Sequence, residues 1–341
     1  MLKPPSYIKK ILLFLAVLIF IILVFSHGPS YNKKEIKLGA TFSVKKAQEL
    51  GLDWKETYRA SLKDLDIKRI RIPAYWDEVE PKNDHYQWKE LDWQLQQAKK
   101  ENAQVILAVG KRLPRWPECH FPDWTNWNQG SSQQKWRSEL LEYIEKTVNR
   151  YKDHPNVMAW QVENEPYLSS YFGKCPKTKE EFLDKEIELV KKLDSRPIVI
   201  TDSGELSLWV PAARRANIFG TTMYKNTYSE TLGSYVHYPI SPDFFHFKKN
   251  VADLFTEPNK WIVIELQAEP WGPTSYQNLS EKEKRKTMTP AKMENMIEFA
   301  SEAGFRELYL WGVEYWYWEK VKNNDPHYWE KAKKLFQKYK N

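Results

Sequence analysis

The chain is poor in cysteine and glycine. Two cysteines in 341 residues exclude a disulfide-dense scaffold and any four-cysteine zinc site. The 12 glycines are half of the roughly 24 that an average composition gives at this length. A strong charge bias is also missing, because 52 basic and 45 acidic residues are interspersed and leave a net charge of +7. We therefore expect no nucleic-acid partner.

Common motifs for nucleotide, metal and serine-nucleophile chemistry are also missing. The sequence has no Gly-rich nucleotide loop, no His-x-x-x-His pair and no Gly-x-Ser-x-Gly turn, and its seven histidines are scattered. We therefore predict a protein that uses no cofactor and no metal ion.

Aromatic residues are abundant instead, with 16 Trp, 19 Tyr and 15 Phe. So many flat rings indicate either a large aromatic core or a ligand with flat apolar faces, of which sugars are the first candidate. Composition alone does not separate these two interpretations.

The N-terminus predicts a membrane segment. Residues 11–25 are an unbroken run of 15 apolar residues, preceded by Lys3, Lys9 and Lys10. A basic flank before such a run is typical of a secretory signal or a signal anchor, and the positive-inside rule keeps the short N-terminus in the cytoplasm. We expect residues 1–30 to form a cytoplasmic stub and anchor, with a cleaved signal peptide as the alternative. Residues 31–341 would then be a membrane-anchored extracytoplasmic domain, or a secreted one after cleavage.

The rest of the chain repeats one unit, a short aliphatic strand followed by a longer amphipathic helix. Strands are predicted at residues 36–43, 69–73, 104–110, 157–162, 197–201, 218–224, 261–265 and 307–311. Eight such units in about 300 residues predict an α/β fold, the (β/α)8 TIM barrel. A doubly wound open sheet is the alternative, but the turn after the first strand lacks the glycines common there.

Long inserts follow the strands and not the helices. They cover residues 111–128, 167–177, 269–280 and 313–324. In a barrel these loops lie together on the C-terminal face, where active sites are built. Tryptophans on that face are better explained by ligand stacking than by core packing, which favours a carbohydrate ligand. The tryptophans of these inserts are Trp116, Trp124, Trp127, Trp271, Trp316 and Trp318.

Two strands end in a glutamate. The fourth ends in Asn164-Glu165-Pro166, and the seventh ends at Glu265. Glycoside cleavage needs two carboxyl groups, an acid for the leaving oxygen and a nucleophile or base. Glu163 and Glu269 remain alternatives, because strand parity does not exclude them. Adjacent Asn164 and Glu165 cannot both face inward on a regular strand, so we expect a β-bulge there.

With these glutamates the chain resembles glycoside hydrolase clan A, the cellulase-like superfamily of retaining (β/α)8 enzymes. The resemblance extends to Arg71-Ile72-Pro73 and to the segment at residues 76–81, and it covers about residues 38–318. It implies that residues 31–341 are the catalytic domain of a hydrolase for β-linked oligo- or polysaccharides. Glu165 would be the acid/base and Glu265 the nucleophile of a double displacement.

The resemblance also implies roles for neighbouring residues. Asn164 would hydrogen-bond the sugar 2-hydroxyl, Arg71 would hold Glu265 ionised, and Tyr224 would hydrogen-bond Glu265. Trp311 would form the floor under the sugar at the cleavage point, and Trp271 is a further candidate for substrate binding.

The sequence departs from the clan pattern in three places. Leu266-Gln267-Ala268 follows the nucleophile candidate, the sixth strand ends without His, and Lys111 and Arg112 follow the third strand. These departures concern the subfamily and the substrate, not the two glutamates.

The two cysteines lie in loops after neighbouring strands, Cys119 after the third and Cys175 after the fourth. If the domain is exported, a disulfide between them would persist. We predict that bridge, with a pair of free thiols as the alternative.

Another class of function is a catalytically inactive, membrane-tethered barrel that binds carbohydrate through its tryptophan loops. The paired glutamates argue against it, since a pure binder has no use for two carboxyl groups in one site. The predicted partners are a carbohydrate substrate and the membrane, and the expected assembly is a monomer.

Overall fold

The barrel strands are apolar on both faces, as parallel strands covered on both sides are. All five residues of the strand Ile198–Asp202 are buried, for example. The computed structural model describes residues 6–26, 35–128, 133–168, 173, 175–176 and 178–340.

Eight parallel strands close into a barrel, which confirms the predicted fold. The strands are β1 Lys37–Thr41, β2 Arg69–Pro73, β3 Gln104–Val109, β4 Val157–Val162, β5 Ile198–Asp202, β6 Ile218–Met223, β7 Asn226–Ser229, β8 Ser234–His237, β9 Lys260–Gln267 and β10 Glu307–Trp311. The order around the barrel is β1-β10-β9-β6-β5-β4-β3-β2. A two-stranded antiparallel hairpin, β7 with β8, interrupts the alternation after the sixth barrel strand.

Helices connect the strands, and local capping explains several of their starts. Asp53 accepts hydrogen bonds from the backbone N–H groups of Lys55 and Glu56, and Ser280 forms a capping box with Glu283. The helices are α1 Ser6–Ser26, α2 Val44–Glu49, α3 Trp54–Lys63, α4 Trp76–Val79, α5 Lys89–Lys100, α6 Gln133–Tyr151, α7 Glu180–Leu193, α8 Val210–Ala213, α9 Pro242–Asp253, α10 Glu281–Thr287, α11 Pro290–Glu302, α12 Val313–Lys322 and α13 His327–Lys338.

The interior of the barrel is filled by side chains, so the barrel is a packed core and not a pore. Tyr309 is the largest of these residues, and Gly39 on the neighbouring strand makes room for it. A Cβ added at Gly39 would lie 2.8 Å from the Tyr309 ring. The inner cluster consists of Ile106, Ala159, Val199, Ile218, Ile262, Ile264 and Tyr309.

Two local predictions were wrong. Residues 313–324 do not form a loop, because helix α12 occupies most of them. Trp316 and Trp318 on this helix are buried, and Trp316 donates from Nε1 to the carbonyl oxygen of Ala268 at 2.7 Å. These two rings therefore belong to the core rather than to a ligand surface.

The predicted membrane segment is not supported. Helix α1 covers the whole apolar run. Within the part of the chain that the structure describes, no helix is both long and apolar enough to cross a membrane. This finding contradicts the expected anchor and, with it, the membrane-anchored extracytoplasmic placement of the barrel.

Candidate active site

Glu265 lies on β9 with a donor at each of its carboxylate oxygens. Arg71 donates from Nη2 to Oε1 at 2.7 Å, and the hydroxyl of Tyr224 donates to Oε2 at 2.8 Å. Arg71 lies on β2 and Tyr224 follows β6 directly. The barrel thus places three of the predicted site residues in direct contact and fixes the orientation of one carboxylate.

Arg71 also ties this carboxylate to other strand ends. The side chain is fully buried. Its Nε donates to Thr41 at 3.0 Å, and Nη1 donates to Gln161 at 3.3 Å and to Asn164 at 3.4 Å. A planar guanidinium is suited to such a set of fixed donors, so Glu265 sits in a network anchored on several strands.

Glu165 lies across the barrel mouth from Glu265 and has fewer partners. Its backbone N–H donates to Thr201 Oγ1 at 2.8 Å, and its Oε1 accepts from the hydroxyl of Thr222 at 3.3 Å. Burial raises the pKa of Glu165 well above its usual value, and the negative charges of Glu265 and Glu118 raise it further. A carboxyl group in these surroundings keeps its proton to a higher pH than an ordinary glutamic acid does.

The backbone at Glu165 differs from the expected β-bulge. Strand β4 ends at Val162, and a turn follows in which Glu163 and Glu165 have left-handed φ angles of 59° and 45°. The turn re-aims successive side chains as a bulge would. Left-handed backbone at residues other than glycine costs about 1–2 kcal/mol each, and such strain is concentrated at functional sites.

Glu163 and Glu269, the two alternative candidates for the catalytic glutamates, are engaged by other residues. Glu163 accepts the backbone N–H groups of Lys111 at 3.0 Å and Arg112 at 2.8 Å, one at each carboxylate oxygen. Glu269 pairs through both of its oxygens with Arg115. Both glutamates therefore hold the loop that follows β3, which we call the β3 loop (residues 111–119).

Trp311, the expected sugar floor, is covered by arginine. It ends β10, and the Arg115 guanidinium lies 4.0 Å from the centre of one of its rings, with the Arg71 guanidinium at 5.6 Å. Arg115 is held over the ring by Glu269 and by Glu314, whose Oε2 accepts from Nη2 at 2.6 Å. No local pattern in the sequence points to Arg115, because its partners lie 154 and 199 residues away.

Asn164 reaches the same site. Its Oδ1 accepts from Gln161 Nε2 at 3.1 Å and from the Thr201 hydroxyl at 3.3 Å, and its side chain also hydrogen-bonds Glu118. Glu118 is a third carboxyl group of the site, which the sequence reasoning missed. Burial and the charge of Glu265 raise the pKa of Glu118 to about 7, against the opposing effect of Arg112.

Among the loop tryptophans in the described part of the chain, Trp271 has a ring contact with a site residue. Its ring centroid lies 5.1 Å from that of Tyr224. Trp127 stacks on Phe121, while Trp116 is exposed to solvent. These rings therefore do not line the ligand surface as a group, and Trp271 is the one that stays a candidate for substrate binding.

A disulfide joins Cys119 and Cys175, with their Cα atoms 5.3 Å apart. It links the β3 loop to the loop after β4, both on the C-terminal face. The bridge is present although the exported placement from which it was predicted is contradicted.

In the residues that the structure describes, no three His, Cys, Asp or Glu side chains are arranged to hold a metal ion.

The match to a family model supports the prediction that the chain is a glycosidase. The model of glycoside hydrolase family 42, described as beta-galactosidase, matches residues 48–209. This stretch includes Asn164 and Glu165 but stops before Glu265.

Curated relatives point the same way. The beta-galactosidase BgaA of Clostridium cellulovorans is 22% identical over 229 residues, which cover 60% of this chain and 34% of the relative. The beta-galactosidase BgaP of a Planococcus species is 25% identical over 183 residues, which cover 49% of this chain and 25% of the relative. The matches thus span about a third or less of these larger proteins.

Solved structures share the barrel. The beta-galactosidase of the psychrophilic Marinomonas ef1 superposes with a TM-score of 0.60 at 13% identity, covering 89% of this chain and 59% of that one. Xylanase 10B of Thermotoga maritima gives 0.55 at 14%, covering 89% and 97%. A family 5 mannosidase of Rhizomucor miehei gives 0.56 at 15%, covering 80% of each chain. At these identities the likeness shows the fold.

Proposed function

We propose that this chain, a member of glycoside hydrolase clan A, is a retaining glycosidase in which Glu165 is the acid/base and Glu265 the nucleophile. The observation that carries the proposal is the contrast between these two carboxyl groups. Glu265 has donors at both oxygens, one of them a guanidinium. Glu165 is buried with a raised pKa. When two carboxyl groups of one site have such different surroundings, the difference indicates which one acts as the acid and which one reacts as the carboxylate.

The first step is attack by the Glu265 carboxylate on the anomeric carbon. The bond from that carbon to the leaving oxygen breaks, and Glu165 gives its proton to the leaving oxygen. The product is a covalent glycosyl ester of Glu265.

In the second step Glu165 removes a proton from water, which attacks the anomeric carbon and releases Glu265 as a carboxylate. Two inversions give net retention. Esterification removes the negative charge of Glu265, which is one cause of the raised pKa of Glu165. The pKa of Glu165 therefore falls in the intermediate, when it has to act as a base.

Arg71 and Tyr224 act as positioning residues in this scheme. Each donates to one oxygen of Glu265, so the carboxylate is held in one orientation before the substrate arrives, and such preorganisation lowers the barrier. Asn164, whose Oδ1 already accepts hydrogen bonds and whose amide NH₂ also serves Glu118, would share that NH₂ with the sugar 2-hydroxyl.

The substrate class we propose is a β-linked sugar. The relatives are named as beta-galactosidases, which makes a β-galactoside the first substrate to test, with β-glucosides, β-mannosides and β-xylosides as comparisons.

The test is to incubate the purified chain with nitrophenyl β-glycosides of these four sugars and to follow the first product by proton NMR. We expect hydrolysis of at least one glycoside, with the β-anomer appearing first. An α-anomer as first product would overturn the nucleophile assignment. Sugar binding without turnover of any glycoside would favour the inactive binding barrel.

A further inference from the structure

A cavity of about 160 Å³ lies outside the candidate active site, between the segment that follows β2 and helix α5. Tyr75, Val79 and Leu91 form part of its apolar lining, and the described lining includes no residue of the candidate active site. A cavity of about 150 Å³ is large enough to hold benzene, so this one has room for a ligand of about six non-hydrogen atoms.

The wall of this cavity contains a hydrogen-bond donor without an acceptor. Gln94, on α5, lines the cavity, and only 3% of the residue is exposed. Among the described residues its Nε2 atom is buried and has no hydrogen-bond partner. A buried donor that lacks an acceptor is unfavourable, so the amide NH₂ group favours a ligand that brings an oxygen acceptor into the cavity.

Two carboxyl groups line the same cavity, Glu78 on α4 and Glu90 on α5. Neither forms an ion pair within the part of the chain that the structure describes. Lys45 attracts the charge of Glu78, but its ammonium group pairs with Asp77. Lys89 is the cation of the lining itself. The cavity therefore has more carboxyl groups than cations to balance them, which favours a positively charged ligand.

We propose that this cavity is a binding site for a small primary ammonium ligand that also carries a hydroxyl group. The ammonium group would lie against the carboxylate of Glu78, with Glu90 at the exposed rim. The hydroxyl oxygen would accept a hydrogen bond from Nε2 of Gln94. The carbon chain between the two groups would pack against Val79 and Leu91. Each end of the ligand thus meets a group that has no such partner in the described chain.

The charge of Glu78 makes binding depend on pH. Burial, with smaller effects of Asp77 and Glu90, raises the pKa of Glu78 to about 7 against the opposing effect of Lys45. Lys89 is the remaining charged group of the lining. An ammonium ligand binds the carboxylate, so below this pKa it has to displace a proton. Its binding should therefore tighten from about pH 6 to about pH 8, where an alkyl ammonium group stays protonated. A neutral ligand would not show this change.

The test measures dissociation constants by isothermal titration calorimetry for three probes of similar size, 4-aminobutan-1-ol, butane-1,4-diol and butylamine. We expect 4-aminobutan-1-ol to bind with a Kd of about 1 mM, because so small a ligand makes few contacts. The diol lacks the charge and butylamine lacks the hydroxyl group, so each should bind at least tenfold more weakly. Equal affinity for 4-aminobutan-1-ol and the diol would overturn the proposal. So would an absence of binding at about 100 mM, or a Kd for 4-aminobutan-1-ol that does not fall as the pH rises.

Two variants separate the contacts, with melting temperatures as the control for folding. Glu78→Gln keeps the size of the side chain and removes its charge, so the preference over the diol and the pH dependence should both disappear. Gln94→Leu removes the buried donor, so the preference over butylamine should disappear while that over the diol remains. Unchanged affinities in folded Glu78→Gln would contradict the site. If Glu165→Gln lost binding and Glu78→Gln did not, the amine would lie in the candidate active site, and the proposal would be wrong.

Discussion

Two pairs of glutamates lie at the ends of the same two strands, β4 and β9, and their surroundings differ. The outer pair is Glu163 and Glu269. Glu163 accepts hydrogen bonds from backbone N–H groups of the β3 loop at both carboxylate oxygens, and Glu269 pairs with an arginine of that loop. In the inner pair, Glu165 receives one hydroxyl at 3.3 Å, and Glu265 is oriented by Arg71 and a tyrosine. The outer carboxylates hold the β3 loop in place, and we propose that the inner ones react with the substrate.

This difference shows which property makes a glutamate a candidate for catalysis. All four residues are buried and lie within a few residues of a strand end, so neither burial nor position separates them. Their hydrogen-bond donors do separate them, because a carboxylate that is fully engaged by the loop cannot approach a substrate without releasing that loop. We expect substitutions in the inner pair to change chemistry and substitutions in the outer pair to change stability.

The largest effect is expected for Glu265→Ala. Loss of the nucleophile should lower kcat/KM roughly 10⁴-fold or more for every glycoside, since covalent catalysis is removed altogether. Added azide should restore turnover by attacking from the face that Glu265 vacates, and the product should be the α-glycosyl azide. The melting temperature of the variant serves as the control for folding, and a β-glycosyl azide would contradict the assignment.

Glu165→Ala should have the next largest effect, and the loss should depend on the leaving group. General acid catalysis typically contributes about 10²–10⁴-fold, so we expect a loss of that order with alkyl leaving groups and a much smaller one with dinitrophenyl glycosides. Equal losses for both leaving groups would argue against an acid role.

The pH profile sharpens this prediction. Glu165 has to be protonated for the first step, and its pKa is raised, so wild-type activity should extend to a higher pH than an ordinary glutamic acid would allow and fall as the pH rises through that pKa. With nitrophenyl glycosides, whose poorer leaving group still depends on acid help, Glu165→Ala should lose this basic limb. A basic limb retained in the variant would assign it to another group.

For substitutions in the outer pair we expect a lower free energy of unfolding. Glu269→Ala leaves Arg115 buried with one partner fewer, and breaking a buried pair costs about 3–5 kcal/mol. Glu163→Gln replaces one acceptor by a donor that faces a backbone N–H, at about 1–3 kcal/mol. Urea unfolding measures both. If Glu163→Gln kept the full free energy of unfolding and lost activity 10⁴-fold, the roles of the outer and inner pairs would be reversed.

The smallest effect is expected for Trp271→Ala. Its ring packs against Tyr224, and such ring pairs contribute about 0.5–1.5 kcal/mol, which corresponds to roughly a two- to tenfold loss in kcat/KM. Trp127→Ala is the matched control, because that ring stacks on Phe121 within its own loop. Equal losses in the two variants would remove the distinction drawn for Trp271.

Local patterns predicted most of the fold. Aliphatic runs placed the eight barrel strands to within a few residues, because buried parallel strands have a recognisable composition. The short hairpin β7–β8 was missed, since two strands of four residues carry little periodic signal. Helix α12 occupies a segment that the sequence predicts as a loop, and its tryptophans, predicted to face a ligand, pack in the core.

The candidate site was predicted where it depends on residues at strand ends, and missed where it depends on a loop. Arg71, Tyr224 and Glu265 meet because the barrel fixes their positions. Arg115 and Glu118 reach the site through the path of the β3 loop, with partners far away in the sequence. No local pattern encodes such a path, so these residues became visible only in the structure.

The central claim is that Glu265 forms the covalent intermediate. A 2-deoxy-2-fluoro β-glycoside with a dinitrophenyl leaving group slows the second step and traps that ester. We expect peptide mapping by mass spectrometry to place one fluoro-sugar on the peptide that contains Glu265, with fragmentation assigning it to Glu265 and not to Glu269. A label on Glu269 or Glu163, or inactivation without a covalent adduct, would contradict the account.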